Sequence, residues 1–305
     1  MNQLPAAFYD ALFPHLFMKT VRNAQGLPGI FGRLARVTIE NRHDHAYIVE
    51  NNAITTERLY NWDRDVEEDP KPVEKKYTNS VVLWFLDGNH KTVDDSIPTR
   101  IRNKYAEYML RLETQTVSKA WIKWICSWQF TGLEIYEQLG ESTTLVCKDL
   151  LKRGRISQML VKSAAYTERI MDWMKMFLLQ DQFETLYIED CQCLTELLTF
   201  WSKNAEKLER KNLNLFGTCG EAAKALDSEL ERCSKAESEE IKRDRFFFYN
   251  AMFDSPSKGY KLKKRANEGP SDHNVYVFFE CKGKSAKSAE LAYLKRTNSL
   301  RIFFA

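Results

Sequence analysis

Nothing in the 305-residue chain resembles a membrane span, because its apolar clusters, such as MKMFLLQ and RFFFYNAMF, are broken by charges or amides within a few residues. The opening MNQLPAAFYDALFPHL has no basic leader, and Asp10 interrupts its apolar run, so it makes a poor secretion signal. The seven cysteines, at 126, 147, 191, 193, 219, 233 and 281, follow no disulfide or metal-binding spacing. Cys191 and Cys193 stand too close to bridge without strain. The thiols read as reduced, and the expected compartment is the cytoplasm or the nucleus.

Motifs of phosphate and nucleophile chemistry are missing too. There is no GxxxxGK[ST], no GxGxxG after a strand and no GxSxG. Histidines number five, and the one dense group, His43-Asp44-His45, has no second Cys/His group at a partner spacing. It reads as an exposed loop or strand edge. Carboxylate pairs such as Glu67-Glu68 and Glu239-Glu240 sit in charge runs and read as solvated faces. No catalytic, cofactor-binding or metal-binding residue is therefore assigned, and a non-enzymatic protein is expected. A net charge of +3 supplies no broad field for nucleic acid or anionic membrane, so neither is an expected partner. The signs are clustered locally. Asp63 to Asp69 (DRDVEED), followed by PKPVEKK, reads as a long exposed acidic loop. Lys261 to Arg265 (KLKKR) is the dense basic run, suited to a solvated strand edge, a nuclear-import signal or a phosphate contact.

What is present is a period. FTGLEIYE at 130–137, ISQMLVKS at 156–163 and FETLYIED at 183–190 share the pattern apolar, two others, apolar, one other, apolar. The first members of the paired apolar residues, Leu110, Leu133, Met159, Leu186 and Leu213, lie 23, 26, 27 and 27 residues apart. Between these strands the spacing turns helical. Val117, Trp121, Trp124, Ile125 and Trp128 share one face, and so do Ile170, Trp173, Met174, Phe177 and Leu178, then Leu194, Leu197, Leu198, Trp201 and Leu208. The tryptophans on these faces read as core rather than as a stacking platform. Gly154 is a plausible helix stop.

A short strand followed by a helix, repeated at this period, pairs its strands in parallel. The expected fold is α/β: a short leucine-rich-repeat-like array with parallel strands and helices on one side, an N-terminal helical unit, and an irregular C-terminal strand group. Residues 1–40 form the helical unit, 41–104 strands and the acidic loop, 105–219 the strand-helix repeats, and 220–305 a helix plus closing strands. The template L-x-x-L-x-L-x-x-N/C-x-L is met most fully at Phe183, Leu186, Ile188 and Cys191. Its asparagine-or-cysteine position is otherwise Gln115, Gln138, Ala164 and Thr218, so the solenoid should be irregular and short.

If the paired apolar residues point inward, those between and just after them line the open face. They are Arg111, Glu134, Leu160, Tyr187 and Asn214, then Glu113, Tyr136, Lys162, Glu189 and Phe216. Of these, Arg111, Glu134, Tyr136, Leu160, Lys162, Tyr187, Glu189 and Phe216 are the candidate partner-binding residues. The other reading is a plain solvated face, because Arg111 beside Glu134 and Lys162 beside Glu189 are opposite charges on neighbouring strands.

At the start, Leu4-Pro5, Phe8, Leu12, Phe13 and Leu16 fall at helical spacing, and Pro28 opens a second short helix ending near Ala35. These helices read structurally as a cap on the repeat core. LPAAFYDALFPHL is also similar to the opening of an F-box. With QGLPGIFGRLAR, QFETLYIED and FWSKNAEKLERKNLNL it looks like the nematode-expanded family of F-box-like proteins with leucine-rich-repeat-like or F-box-associated C-terminal regions. The resemblance spans most of the chain. It implies that residues 4 to about 40 bind the small adaptor subunit of a cullin-based ubiquitin ligase through Leu4, Pro5, Leu12, Phe13 and Leu16, while the repeat region recruits a target protein.

Residues 220–245 are polar and helix-prone, with Leu226, Leu230 and Cys233 as a thin apolar stripe. RFFFYNAMF, GYKLKK, HNVYVFFE and SLRIFFA then read as closing strands, partly antiparallel. Phe303 and Phe304 should be buried in the sheet.

Overall fold

A computed structural model of the chain describes residues 12, 18–61, 74–87, 97, 99–189, 193–217, 230–245, 258–262, 274–280 and 299–304. Leu4, Pro5, Phe13, Leu16, Cys191, Thr218, Leu226, the Asp63–Asp69 run and Lys263–Arg265 lie outside the described residues. The chain divides into two units, residues 1–134 with 139–150, and residues 135–138 with 151–305.

In the first unit, helices α1 (Met18–Gln25) and α2 (Ile30–Asn41) join through buried Val21, Ala24 and Ala35, with Phe31, Leu34 and Ile39 packed beside them. The second helix runs past the expected end near Ala35. Phe31, Leu34, Ala35 and Thr38 continue one face at i, i+3, i+4 and i+7, and Thr38 is buried, so nothing stops the helix before Asn41. Strands β1 (His43–Glu50) and β2 (Ala53–Tyr60) form a hairpin. Its turn, Asn51-Asn52, has φ of 47° and 68°, the left-handed values that a two-residue hairpin loop needs and that asparagine tolerates.

Strands β3 (Thr78–Leu86), β4 (Glu107–Glu113) and β5 (Phe130–Ile135) extend this sheet in the order β2-β1-β3-β4-β5. β1 pairs with β3, and β3 with β4, in parallel. Thr131 donates to the Tyr108 carbonyl, and Arg111 reaches Glu134; both partners lie 23 positions on, so β5 runs parallel to β4. Helix α3 (Lys119–Ser127) starts at the Ser118 cap, whose hydroxyl accepts from the Trp121 N–H. It covers the inner sheet face, where the Trp121 and Phe85 rings meet edge to face. Helix α4 (Glu141–Arg153) ends at Gly154, as expected, with φ of 59°.

His43-Asp44-His45 is not an exposed loop or sheet margin. It begins β1, which is flanked by β2 and β3, and His43 is buried. The imidazole is tolerated there because both nitrogens have partners, Nδ1 with the Asn41 carbonyl at 3.0 Å and Nε2 with the Thr78 hydroxyl at 3.2 Å.

The second unit holds β6 (Gln158–Val161), β7 (Thr185–Glu189) and β8 (Asn212–Phe216), paired in parallel with Met159, Leu186 and Leu213 in register. Beyond β8 the sheet turns antiparallel, in the order β8-β12-β11-β10-β9, through β12 (Ser299–Phe304), β11 (Val275–Glu280), β10 (Lys258–Leu262) and β9 (Leu230–Arg232). Phe303 and Phe304 are each 5% exposed in β12, as expected of the closing strand. Helices α5 (Glu168–Leu178), α6 (Leu194–Ser202) and α7 (Ala205–Leu208) bury the apolar faces read from the sequence, including Ile170, Trp173, Phe177, Leu197 and Trp201.

The expected helix over 220–245 is corrected among its described residues. Leu230–Arg232 is a strand, and helix α8 is confined to Lys235–Arg245. Pairing with β10 satisfies the backbone there and overrides local helix preference. Cys233 joins Tyr276, Phe278 and Phe303 in a cluster against which Ile241 of α8 packs. Phe303 is in register with Asn212, so α8 lies on the sheet face opposite the one filled by Leu213 and Leu215.

Candidate functional site

The inner row was legible from alternation. Leu110, Leu112, Leu133, Ile135, Met159, Val161, Leu186, Ile188, Leu213 and Leu215 are all at most 2% exposed. Within each unit the residues between them therefore occupy the other face of its strands, as period-two alternation requires.

In the first unit this face carries Trp84, Arg111, Glu113 and Glu134. The Arg111 Nε donates to the Glu134 carboxylate at 2.5 Å, while its guanidinium lies 4.7 Å from the Trp84 ring centroid. The Trp84 indole N–H donates to Glu113 at 2.9 Å. Glu134, expected to face a partner, is only 9% exposed and already held by Arg111, so it is a fixed counter-charge rather than an accessible contact. Trp84 was not among the sequence candidates. Its strand contains no leucine-repeat template, yet Leu83 lies in register with Leu110, which is 27 residues on. That spacing was the signal available.

In the second unit Lys162 is the centre. Its ammonium donates to Glu189 at 2.9 Å and lies 5.3 Å from the Tyr136 ring and 5.1 Å from the Phe216 ring. Glu189 also accepts from the Ser163 N–H at 3.4 Å and the Ser163 hydroxyl at 3.3 Å. The lysine hydrogen bond, aided by Ser163 and opposed by partial burial, holds its carboxyl below the usual range. Tyr136, Leu160, Lys162, Tyr187, Glu189 and Phe216 are all half-buried. Along β8, Asn214 lies in register with Tyr187 on one side and Arg301 on the other, and its side-chain oxygen is buried without a hydrogen-bond partner among the described residues. Arg301 is 7% exposed, a residue that the sequence did not single out.

The structure thus brings together Lys162, Glu189, Tyr136 and Phe216 in one cluster, and Arg111 with Glu134 in another. Of the N-terminal docking candidates only Leu12 is described; it is helical and 38% exposed. Among the described residues no group of three or more His, Cys, Asp or Glu could hold a metal ion, and no helix is long and apolar enough to cross a membrane. No family model, no curated protein and no solved structure matches the chain.

Proposed function

We propose that the chain is a non-enzymatic protein-interaction adaptor built on a short leucine-rich-repeat-like array, and that the sheet face carrying Tyr136, Leu160, Lys162, Tyr187, Glu189 and Phe216 receives a partner protein. The cluster around Lys162 carries this reading. Its charges are neutralised within the face, which lowers the cost of covering them, and its aromatic rings remain half-buried. Aromatic side chains of that kind supply most of the energy when two proteins bury surface together. The two residue steps of 27 between β6, β7 and β8 support the repeat description. Capture experiments with the full chain, with and without the Tyr136→Ala and Phe216→Ala substitutions, test the surface. Partners retained by the wild type and lost from the folded double variant support it; identical partner sets in both overturn it.

The F-box-like opening extends this proposal. In that reading Leu4, Pro5, Leu12, Phe13 and Leu16 dock the small adaptor subunit of a cullin-based ubiquitin ligase, and the chain acts as its substrate receptor. Co-purification of that subunit, abolished by Leu12→Asp with Leu16→Asp in a chain that stays folded, supports the ligase link. If the same pair of substitutions unfolds the chain, the N-terminal helices are a structural cap and the adaptor function has no ligase connection.

A further inference from the structure

The strongest feature outside the open face lies in the first unit, at the end of the sheet where β3, β4 and β5 begin. The 3-10 turn Lys75–Tyr77 leads into β3, and the 3-10 turn Thr99–Ile101 with the following loop leads into β4. Parallel pairing of β3 and β4 brings these two approaches side by side. They are tied reciprocally: the Lys75 ammonium donates to the Arg102 carbonyl at 3.1 Å, and the Asn103 amide donates to the Lys75 carbonyl at 2.9 Å. Beneath them the buried Tyr108 hydroxyl donates to the Ile101 carbonyl and accepts from the Asn103 N–H, each at 2.6 Å. The loop is therefore preformed, and a partner would not have to bear the cost of ordering it.

This rim presents cations in a particular way. Lys75, Arg102 and Lys104 are exposed, and among the described residues none has a carboxylate within ion-pair distance. Two of them lie beside rings instead: the Arg102 guanidinium is 5.4 Å from the Trp128 ring and the Lys104 ammonium 5.0 Å from the Tyr105 ring, which is itself 42% exposed. The contrast with the open face is physical. There Arg111 and Lys162 are matched by Glu134 and Glu189, so an incoming anion would have to displace a carboxylate already in place. At the rim it would not.

We propose that this rim is a second docking surface, and that its occupant is an acidic segment of a partner protein, whose carboxylates pair with Lys75, Arg102 and Lys104 while its neighbouring side chains lie against Tyr105 and Trp128. Arginine and aromatic residues together are the side chains that partner surfaces favour. A nucleic acid strand is the weaker occupant. It is held by a groove of cations that tracks its backbone, and a chain of net charge +3 adds no wider field to these three cations. The proposal does not depend on the open face, and its test touches no residue of that face.

The test is fluorescence anisotropy with the full chain and a labelled octapeptide of alternating glutamate and glycine, with a labelled eight-nucleotide oligothymidylate as comparison. The same titrations are run on a chain in which Asp63, Asp65, Glu67, Glu68 and Asp69 are amides, so that its own acidic run cannot compete. The peptide is expected to bind, to weaken by about tenfold in Arg102→Ala with Lys104→Ala, and to weaken further as salt rises. Both side chains are exposed, so the variant keeps the wild-type melting temperature, which separates lost docking from lost folding. The proposal is overturned if neither chain binds the peptide, if the double variant binds it as well as the wild type, or if the oligothymidylate binds more tightly and shows the same loss.

Discussion

Lys162 donates to Glu189 across the β6–β7 pair at 2.9 Å while lying between the Tyr136 and Phe216 rings, so one ammonium serves a carboxylate and two aromatic faces at once. The hydrogen bond holds the Glu189 carboxyl below its ordinary value near 4.5. A carboxylate with a depressed folded-state value contributes stability that is present above the unfolded value and disappears as pH falls through the folded one. The pair is partly solvated, so Glu189→Gln should cost only about 0.5 kcal/mol at neutral pH. Thermal melts of both proteins from neutral pH downward should show the difference closing below the ordinary carboxylate range. A difference that persists or widens in acid would contradict the assignment.

Arg111 and Glu134 differ from that pair because the carboxylate is nearly buried. Removing the guanidinium strands a charge that has little water, whereas neutralising both residues leaves no charge unpaired. Arg111→Met should therefore destabilise the chain by about 1–3 kcal/mol, and adding Glu134→Gln should recover a good part of it. Urea unfolding of the two single variants and the double variant gives the coupling directly. Additive losses would mean that the ion pair carries no coupling.

Asn52 joins the β1–β2 turn to helix α3 in two ways. Its side-chain oxygen accepts from the Ser118 N–H at 2.7 Å, and its carbonyl accepts from the Trp121 indole at 2.7 Å. Asn52→Gly keeps the positive φ easy and loses only the side-chain acceptor; Asn52→Ala loses the acceptor and strains the backbone as well. The alanine variant should be less stable than the glycine variant, by about 1 kcal/mol, in denaturant titrations. The reverse order would show that the turn is not held in the left-handed region.

Gly259 lies where α8 approaches the sheet. A Cβ there would meet a Phe278 ring carbon at 2.7 Å and the Ser238 hydroxyl at 2.7 Å, and the ring is fully buried. Gly259→Ala should cost about 1–3 kcal/mol, since the ring has no free volume in which to retreat. Hydrogen exchange of α8 reads the effect locally. Unchanged protection would mean that the helix does not pack closely over β10.

The same contacts explain how far local pattern reaches. Alternation alone places Leu186 and Ile188 inside and Tyr187 and Glu189 outside, and the steps of 23 and 27 residues put Arg111 beside Glu134 and Lys162 beside Glu189. β3 escaped that reading because the chain between Leu86 and Glu107 contains no stretch of helical spacing, so a count of strand-plus-helix units stopped short of it. The correction at Leu230–Arg232 has a different cause: helix preference is a property of the segment, whereas the open edge of β10 is a property of the sheet.

From its residues the chain declares which side chains turn inward and roughly how often a strand returns, because both depend on neighbours two to four positions away. Tertiary structure decided what lies beside each strand: the burial of His43, the covering of Phe303 by α8, and the meeting of Lys75 with Arg102, which are 27 positions apart. Those outcomes follow from backbone groups that must find partners across the sheet, and a hydrogen bond between distant segments leaves no mark on the spacing within either one.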